Sequence, residues 1–407
     1  MYAKKLSIYE FKCFQKAILN LQYPGRRSAG ASTISNINLI LGDNGGGKSS
    51  VLRALALAVL APALMHTGFV PYRLVRRQAN GEPAAERCLL KVVAQSDPQE
   101  QVAGLKSRME LMARLDVAKR GVLDRIHLNE TPLSPISLLL EDEASTAFFV
   151  VGYGATRRVE SGDYSPSSAR RSRGLRYQRI AGLFEDHVAL RPLSSWLIPH
   201  RMKEERFEES VALLNRILPN NIQFEGLISQ DDDQFLFNFE GLQTPFNALS
   251  DGYKAFIGWV GDLIGHLVDV TPEKTRLDQV SGIVLVDEID LHLHPAWQRQ
   301  VVPMLSSTFP KLQFVLTSHS PLVASSVNNE NIFITDRTND GNATITQSTE
   351  HVLGQSVEHI LLSNYFGLQT TRPVSFENSA RKLFERAAQG DASAALEFLQ
   401  RISPPSA

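Results

Sequence analysis

At 407 residues the chain exceeds one ordinary hydrophobic core, so two lobes or domains are expected. Its formal net charge of -1 excludes a global attraction to nucleic acid or membrane, and any such surface must be local. Two cysteines, Cys13 and Cys88, exclude a disulfide framework or a cysteine-rich metal site and suit a reducing cytosol. The start of the chain lacks the apolar core of a targeting signal, and the most apolar run, Val51–Met65, is too short to span a bilayer. We therefore expect a cytoplasmic protein with no membrane partner.

The N-terminal segment predicts two short strands that can pair as a hairpin. Apolar residues Leu6, Ile8 and Phe11 mark the first strand, and the run Ile18–Leu21 marks the second.

The next strand leads into a glycine-rich loop that matches G-x-x-x-x-G-K-[ST]. Leu39-Ile40-Leu41 predicts a buried strand, and the alanine- and leucine-rich run Val51–Leu60 predicts a helix, so the loop lies in the strand–loop–helix context of a phosphate-binding loop. Its glycines let backbone N–H groups face one anion, and the helix N-terminus favours negative charge. Lys48 is predicted to reach the β- and γ-phosphates and Ser49 to ligate Mg²⁺. The alternative is a chance glycine-rich turn. The candidate ligand-binding residues of this loop are Gly42, Asp43, Asn44, Gly45, Gly46, Gly47, Lys48, Ser49 and Ser50.

The following region mixes strand and helix patterns. Arg87–Ala94 predicts a strand. Gln99–Arg125 predicts a helix, since Leu105, Met109, Met112 and Leu115 have helical spacing, with the methionines in the core of an insertion. Ala147–Gly154 predicts a buried strand that runs into a tight loop.

A basic stretch contains Arg170, Arg171, Arg173, Arg176 and Arg179. A solvated loop is the favoured interpretation, and a phosphate-contacting patch for nucleic acid or nucleotide is the alternative. Leu183–Leu218 then predicts helices with a break near Pro192 and Pro199. Gln223–Phe239 predicts a hairpin around Asp231–Asp233, which is interpreted as a turn rather than a metal site.

An apolar strand, Gly282–Val286, ends in two acids, Asp287 and Glu288. A continuous apolar run indicates the centre of a parallel sheet, and ligands bind at the carboxyl ends of such strands. Asp287 can hold Mg²⁺ and Glu288 can polarise an attacking water. The alternative is a strand that merely ends in a charged turn.

Two further segments complete the candidate site. The buried strand Leu312–Thr317 is followed by His319, which can sense a γ-phosphate or be structural. Ser250 is a favourable helix N-cap before the apolar helix Ala255–Leu267, and Gly252 permits close approach of a ligand, although Ser-Asp-Gly is also common turn chemistry.

Together these motifs resemble the ABC-type ATPases of the SMC and RecF group. The resemblance rests on the phosphate loop, the signature-like Leu249–Gly252, the acids Asp287 and Glu288, and His319, all in the family's order. The segments Tyr153–Arg157, Leu291–Pro295 and Thr317–Pro321 are most similar to compact prokaryotic ATPases of antiphage systems, the PtuA-like and OLD-like proteins.

The resemblance implies an α/β fold, with a P-loop NTPase head of ABC type, a mixed sheet flanked by helices and an inserted helical lobe. It implies ATP and Mg²⁺ as cofactors, with Lys48, Glu288 and His319 as catalytic residues and Ser49 and Asp287 at the metal. Two heads of a homodimer or higher homo-oligomer would meet head to tail, with Ser250 and Gly252 acting in trans. Asp251 and Tyr253 depart from the usual glycine and glutamine, which puts the turnover rate in doubt, and the Tyr153–Arg157 loop stands where a glutamine loop is usual.

The expected organisation is an ATPase half at 1–158, a helical lobe and insertion at 159–246, a second ATPase half at 247–345 and a helical segment at 346–407. OLD-like proteins carry a C-terminal nuclease with an Asp-x-Asp pair, which is absent after Asp336, so no nuclease is expected in this chain. His292 and His294 are interpreted as part of a dimer-facing loop, with a metal site as the alternative. The expected function is an ATPase whose ATP-driven dimerisation controls a separate effector, expected to be a nuclease. The alternatives are a RecF-like clamp on nucleic acid and an ATP-binding scaffold with little turnover.

Overall fold

The computed structural model describes residues 1–26, 34–60, 64, 69–77, 84–97, 109–127, 148–159, 174–200, 204–219, 221–229, 234–363 and 365–402. The chain forms two compact units, Met1–Gln355 and Ser356–Ala407. The first contains the strands and all candidate site residues, and the second is helical.

The strands of the described residues are, in chain order, β1 (Tyr2–Phe11), β2 (Phe14–Asn20), β3 (Ile37–Gly42), β4 (Arg87–Gln95), β5 (Glu110–Ala118), β6 (Arg125–His127), β7 (Phe149–Tyr153), β8 (Ile222–Ile228), β9 (Phe235–Phe239), β10 (Leu242–Pro245), β11 (Gly282–Val286), β12 (Leu312–Thr317), β13 (Ile332–Arg337) and β14 (Ala343–Gln347).

The helices of the first unit are α1 (Lys48–Leu60), α2 (Leu175–Gln178), α3 (Leu193–His200), α4 (Glu204–Ile217), α5 (Asp251–Val270), α6 (Pro295–Gln298), α7 (Val301–Thr308) and α8 (Pro321–Ala324). The second unit contains α9 (Val357–Leu362), α10 (Val374–Ala388) and α11 (Ala392–Ile402). Short 3₁₀ turns lie at Ala181–Leu183, Phe246–Ala248, Leu277–Gln279 and Asn329–Asn331. Within the described ranges, no helix has the length and apolar character needed to cross a membrane.

Most strands join one mixed sheet with the spatial order β6-β5-β4-β1-β2-β14-β13-β3-β12-β11-β7. Strands β13, β3, β12, β11 and β7 run parallel, whereas β2, β1, β4, β5 and β6 alternate in direction. Every residue of β3, β7, β11 and β12 is buried, as expected for strands covered on both faces. The mixed sheet and the predicted buried strands are therefore confirmed.

Helix α1 packs into the main core beside this sheet. Its apolar residues from Val51 to Leu60 are buried, because alanine and leucine occupy nearly its whole circumference. This burial fixes the start of the helix, and with it the loop between Gly42 and Lys48, against the sheet.

The predicted N-terminal hairpin is confirmed, since β1 and β2 pair antiparallel with Ser7 opposite Ile18. The predicted helix at Gln99–Arg125 is wrong in its described part. Residues Glu110–Ala118 form β5, which pairs antiparallel with β4. Apolar Leu111, Ala113, Leu115 and Val117 alternate inward, and Met112, expected in the core, is 61% exposed.

The segment between the two halves of the sheet combines helices with a small separate sheet. Helices α3 and α4 confirm the helical prediction from Leu193 onward, whereas residues 184–192 form turns and a β-bridge at Leu190. Pro192 immediately precedes α3, and Pro199 lies inside it. Strands β8 and β9 confirm the predicted hairpin, and β10 adds a third strand. Asp231–Asp233 lie outside the described residues.

Candidate nucleotide site

Four loops of the candidate site follow four neighbouring parallel strands. The order β3-β12-β11-β7 places the glycine-rich loop, His319, the Asp287–Glu288 pair and the Gly154–Arg157 loop in that sequence. Because the strands are parallel, their carboxyl ends lie at one edge of the sheet. The topology therefore brings the sequence-predicted motifs of the two halves together.

The glycine-rich loop has the backbone of an anion cradle. Gly42, Gly45 and Gly47 have φ angles of 136°, 76° and 98°, which residues with a side chain rarely adopt. The N–H of Gly46 donates to the carbonyl oxygen of Asp43 at 3.0 Å and closes the turn. Asp43, Asn44 and Gly45 are exposed, so the loop is open to a ligand on its outer side.

Neighbouring elements that sequence reasoning missed pack against this loop. The Arg337 guanidinium at the end of β13 donates to the Gly45 carbonyl oxygen through Nε at 3.1 Å and Nη2 at 2.8 Å. A Cβ on Gly47 would lie 2.8 Å from Cys13 Sγ and 2.7 Å from the Phe14 ring. Gly47 is thus favoured by close packing as well as by backbone conformation.

Lys48 lies inside the loop and is buried. Its Nζ donates to the carbonyl oxygens of Gly42 at 2.7 Å and Asp43 at 2.9 Å. Burial lowers the pKa of Lys48, and the nearby carboxylates of Asp287 and Glu288 oppose this shift. Desolvation of the ammonium and its attraction to these carboxylates thus act on its pKa in opposite directions.

Thr317, at the end of β12, ties the two acids together. Its Oγ1 donates to Asp287 Oδ1 at 2.6 Å and accepts the Glu288 N–H at 2.7 Å. The Asp287 N–H donates to the Tyr153 carbonyl oxygen at 2.8 Å, so β7 and β12 hold the end of β11 from both sides. His319 is half-buried on the neighbouring loop, and its N–H donates to Asp290 Oδ1 at 3.3 Å.

Glu288 adopts a left-handed backbone conformation with φ of 50°, which costs a residue with a side chain about 1–2 kcal/mol. Arg157 Nη2 donates to its carbonyl oxygen and, at 2.8 Å, to that of Asp287. Burial lowers the pKa of Arg157 to about 10, and Asp287, Asp290 and Glu288 oppose the shift. Arg157 is therefore cationic at neutral pH.

The signature-like segment begins α5, with Ser250 at the N-cap position as predicted. Its hydroxyl makes no capping hydrogen bond, and the residue is exposed. A Cβ on Gly252 would lie 2.5 Å from the carbonyl oxygen of His292, so this glycine permits close packing of α5 on the loop after β11. Tyr253 packs edge-on against Phe239 and Trp297, with ring centroids 5.5 and 5.2 Å away. The tyrosine thus has a packing role.

A buried polar cluster connects α5 with β7. Asp262 accepts from Tyr153 Oη at 3.0 Å and from the Arg191 backbone N–H at 3.1 Å, and His266 Nε2 lies 3.3 Å from it. Burial raises the pKa of Asp262, but His266 and Arg191 outweigh it and lower the pKa overall. Burial lowers the pKa of His266 despite the Asp262 charge. Helix α5 is thereby fixed to the strand that precedes the Arg157 loop.

Two arginines of the predicted basic stretch lie in the described residues, and neither is solvated. Arg176 is buried and donates to the Phe148 carbonyl oxygen at 3.2 Å, and Arg179 lies over the Phe149 ring at 5.6 Å. The solvated-loop interpretation is wrong for these two because both pack against the start of β7. Arg170, Arg171 and Arg173 lie outside the described residues.

The donor set fits a magnesium nucleotide. The glycine-rich loop offers backbone N–H groups and a lysine to phosphates, and Ser49 and Asp287 offer the oxygen ligands that Mg²⁺ prefers. Thr317 occupies Asp287 Oδ1, which leaves Oδ2 for the metal or its water. His294, considered as a metal ligand, instead accepts the Ala296 N–H through Nδ1 at 3.3 Å and caps α6.

Solved structures of SMC heads share this architecture. An SMC head bound to the C-winged helix domain of ScpA superimposes with a TM-score of 0.53 at 16% identity, over 86% of this chain and 98% of that one. The chain has the fold of an SMC head. An SMC head from Pyrococcus yayanosii gives a TM-score of 0.50 at 12% identity, over 89% of this chain and 98% of that one.

Sequence comparisons connect this chain to Septu and retron proteins. Residues 155–325 match the family "AAA domain, putative AbiEii toxin, Type IV TA system", and residues 5–62 match an AAA domain family. The Septu protein PtuA of Bacillus mycoides is 24% identical over 95% of this chain and 47% of its own length. The "Retron Vc95 probable ATPase" of Vibrio cholerae is 46% identical over 23% of this chain and 18% of its own length. The chain is thus related to the Septu protein PtuA and to the retron ATPases. It spans about half the length of the Bacillus mycoides PtuA, and its match to the retron protein covers a smaller share of that relative.

Proposed function

We propose that this protein is an ABC-type ATPase whose ATP-driven head pairing controls a partner effector, expected to be a nuclease, in a prokaryotic defence system. One observation carries the ATPase part: the phosphate loop and the Asp287–Glu288 pair follow parallel strands separated by β12, so both lie at the same edge of the sheet. The relatives named as Septu and retron proteins support the defence part.

The roles of the side chains follow from their chemistry. Lys48 would exchange its carbonyl partners, Gly42 and Asp43, for phosphate oxygens, which carry more negative charge. Ser49 and Asp287 would hold Mg²⁺, which supplies charge neutralisation at the phosphates. Glu288 would accept a proton from the attacking water, and His319 would contact the γ-phosphate.

A second copy of this chain would complete the site. Ser250 and Asp251 are exposed at the start of α5, a 20-residue helix whose N-terminus favours an anion. Head-to-tail pairing would place this helix start against the partner's nucleotide, with Ser250 and Gly252 as the contacting residues. This supports a homodimer or a higher homo-oligomer.

ATP hydrolysis by the purified protein tests the proposal, with Lys48→Ala as the control that removes the phosphate-binding ammonium. Turnover by the wild type and none by Lys48→Ala is the expected result. Adding duplex DNA separates the alternatives, because a clamp on nucleic acid would hydrolyse ATP several-fold faster with DNA. Unchanged turnover with DNA, together with a nuclease that co-purifies, supports effector control.

A scaffold that binds ATP with little turnover is the second candidate. The observation that favours it is Asp251, whose side chain is 96% exposed where a glycine is usual in the signature. Its carboxylate lies 3.8 Å from Lys254 Nζ, and the charge that this exposed pair leaves uncompensated would repel a phosphate of the partner's nucleotide. Tight binding of ATP with no measurable hydrolysis would favour the scaffold.

A further inference from the structure

The direction of the Glu288 side chain depends on a backbone conformation that glutamate rarely adopts. With φ of 50°, Glu288 lies in the left-handed region, which glycine and asparagine adopt more readily than glutamate. Its N–H is bound by Thr317 and its carbonyl oxygen by Arg157. Two side-chain contacts therefore hold the end of β11 in this conformation.

Arg157 is built into this strand end. One nitrogen of the guanidinium, Nη2, donates to the carbonyl oxygens of both Asp287 and Glu288. A hydrogen bond from a cation is stronger than one between neutral groups, and Arg157 makes two such bonds to backbone carbonyl oxygens. Because Nη2 binds the backbone of both acids, Arg157 can influence the reaction through their position.

The loop that carries Arg157 is itself fixed. The Tyr153 carbonyl oxygen accepts the Asp287 N–H at 2.8 Å, and the Arg158 carbonyl oxygen accepts the Leu190 N–H at 2.7 Å. Gly154 packs so closely on the Gly182 carbonyl oxygen that a Cβ there would collide with it. Arg157 is thus attached to a rigid support rather than to a free loop.

We infer that Arg157 is a positioning residue that holds Glu288 in the left-handed conformation from which its carboxylate acts on the attacking water. The inference rests on the proposed ATPase function. It also assigns a role to the loop after β7, where this chain has no identifiable glutamine. Arg157, bound to the two backbone carbonyl oxygens, would set the position of Glu288, whereas other residues would bind the nucleotide.

The test compares Arg157→Met and Arg157→Lys with Arg114→Met. Arg114 lies on β5, half-exposed and paired with Asp116, so its loss should leave the site unchanged. Hydrogen–deuterium exchange of the segment 282–292 measures the holding contact directly. We expect the Glu288 and Ile289 amides to exchange about tenfold faster in Arg157→Met, and lysine to restore part of the protection because it can still donate to a carbonyl.

Kinetics measure the consequence. We expect Arg157→Met to lower kcat about 100-fold, as for a misplaced catalytic group, with KM and the affinity for a non-hydrolysable ATP analogue unchanged. In a Glu288→Gln background the same change should cause no further loss. Unchanged exchange at 282–292, unchanged kcat, or lost analogue binding would each overturn the inference. If the wild type fails to hydrolyse ATP, the proposed function fails instead, and the exchange comparison still decides whether Arg157 holds the strand end.

Discussion

Replacement of Thr317 by valine removes the hydroxyl that joins the two acids while keeping the shape of the side chain. Thr317 is fully buried, and its Oγ1 makes both the 2.6 Å bond to Asp287 Oδ1 and the 2.7 Å bond from the Glu288 N–H. A hydrogen bond to a charged group contributes roughly 1.5–3 kcal/mol, and a buried N–H left unpaired costs about 1–3 kcal/mol. We expect Thr317→Val to lower the free energy of unfolding by about 3 kcal/mol.

Thr317→Ser is the matched control. It keeps the hydroxyl and loses one buried methyl group, which costs about 1 kcal/mol. The predicted difference of about 2 kcal/mol corresponds to a melting temperature about 3 °C lower for valine than for serine in a cooperative unit of this size. Thermal unfolding measures this difference directly. A valine variant that melts at or above the serine variant would refute the assignment of these two hydrogen bonds.

Three further predictions concern α5. Gly252→Ala should lower the free energy of unfolding by about 1–3 kcal/mol and abolish ATP-dependent pairing, because the new Cβ would lie 2.5 Å from the His292 carbonyl oxygen. Gly182→Ala is the control: its Cβ would lie 3.6 Å from the nearest backbone atom, so this variant should melt like the wild type. His266 has a lowered pKa in the folded state, so the unfolded chain binds the extra proton and stability should fall as pH drops below about 6.5, with a slope of at most about 1.4 kcal/mol per pH unit. His266→Gln should remove that slope in urea titrations between pH 7.5 and 5.5, and an equal slope in both proteins would contradict the assignment. Asp251→Asn should raise ATP turnover if the exposed carboxylate slows head closure, and a lower turnover would show that the acid assists it.

The parts of the site that sequence could predict are those in which local pattern and function coincide. Gly42 to Ser49 carries its own glycines, lysine and flanking elements, and the apolar run before Asp287 indicates a central parallel strand. Their meeting at one sheet edge follows from parallel topology. These features can be predicted without knowing which residues distant in sequence are in contact.

The missed features depend on contacts between residues far apart in sequence. Arg337 contacts the phosphate loop although it lies nearly 300 residues further along the sequence, and nothing in its own segment indicates that contact. The left-handed conformation of Glu288 is likewise set by Thr317 and Arg157. Tertiary partners determine these positions, so the pattern of one segment cannot predict them.

The wrong helix prediction had a local cause. Met109, Met112 and Leu115 happen to follow helical spacing, but the alternation of inward apolar residues between Leu111 and Val117 has the period of a strand. Pairing with β4 over the full length of β5 favours that second period. Where two periods overlap in one segment, the available partner strand decides between them.

We propose that Glu288 enables hydrolysis and that ATP pairs two heads. The most direct measurement records ATP turnover and molar mass by light scattering, with and without ATP, for the wild type and Glu288→Gln. We expect the wild type to turn over ATP, and the Glu288→Gln protein to bind ATP, stall and double its mass only when ATP is present. A Glu288→Gln variant that hydrolyses ATP at the wild-type rate, or whose mass is the same with and without ATP, would contradict it.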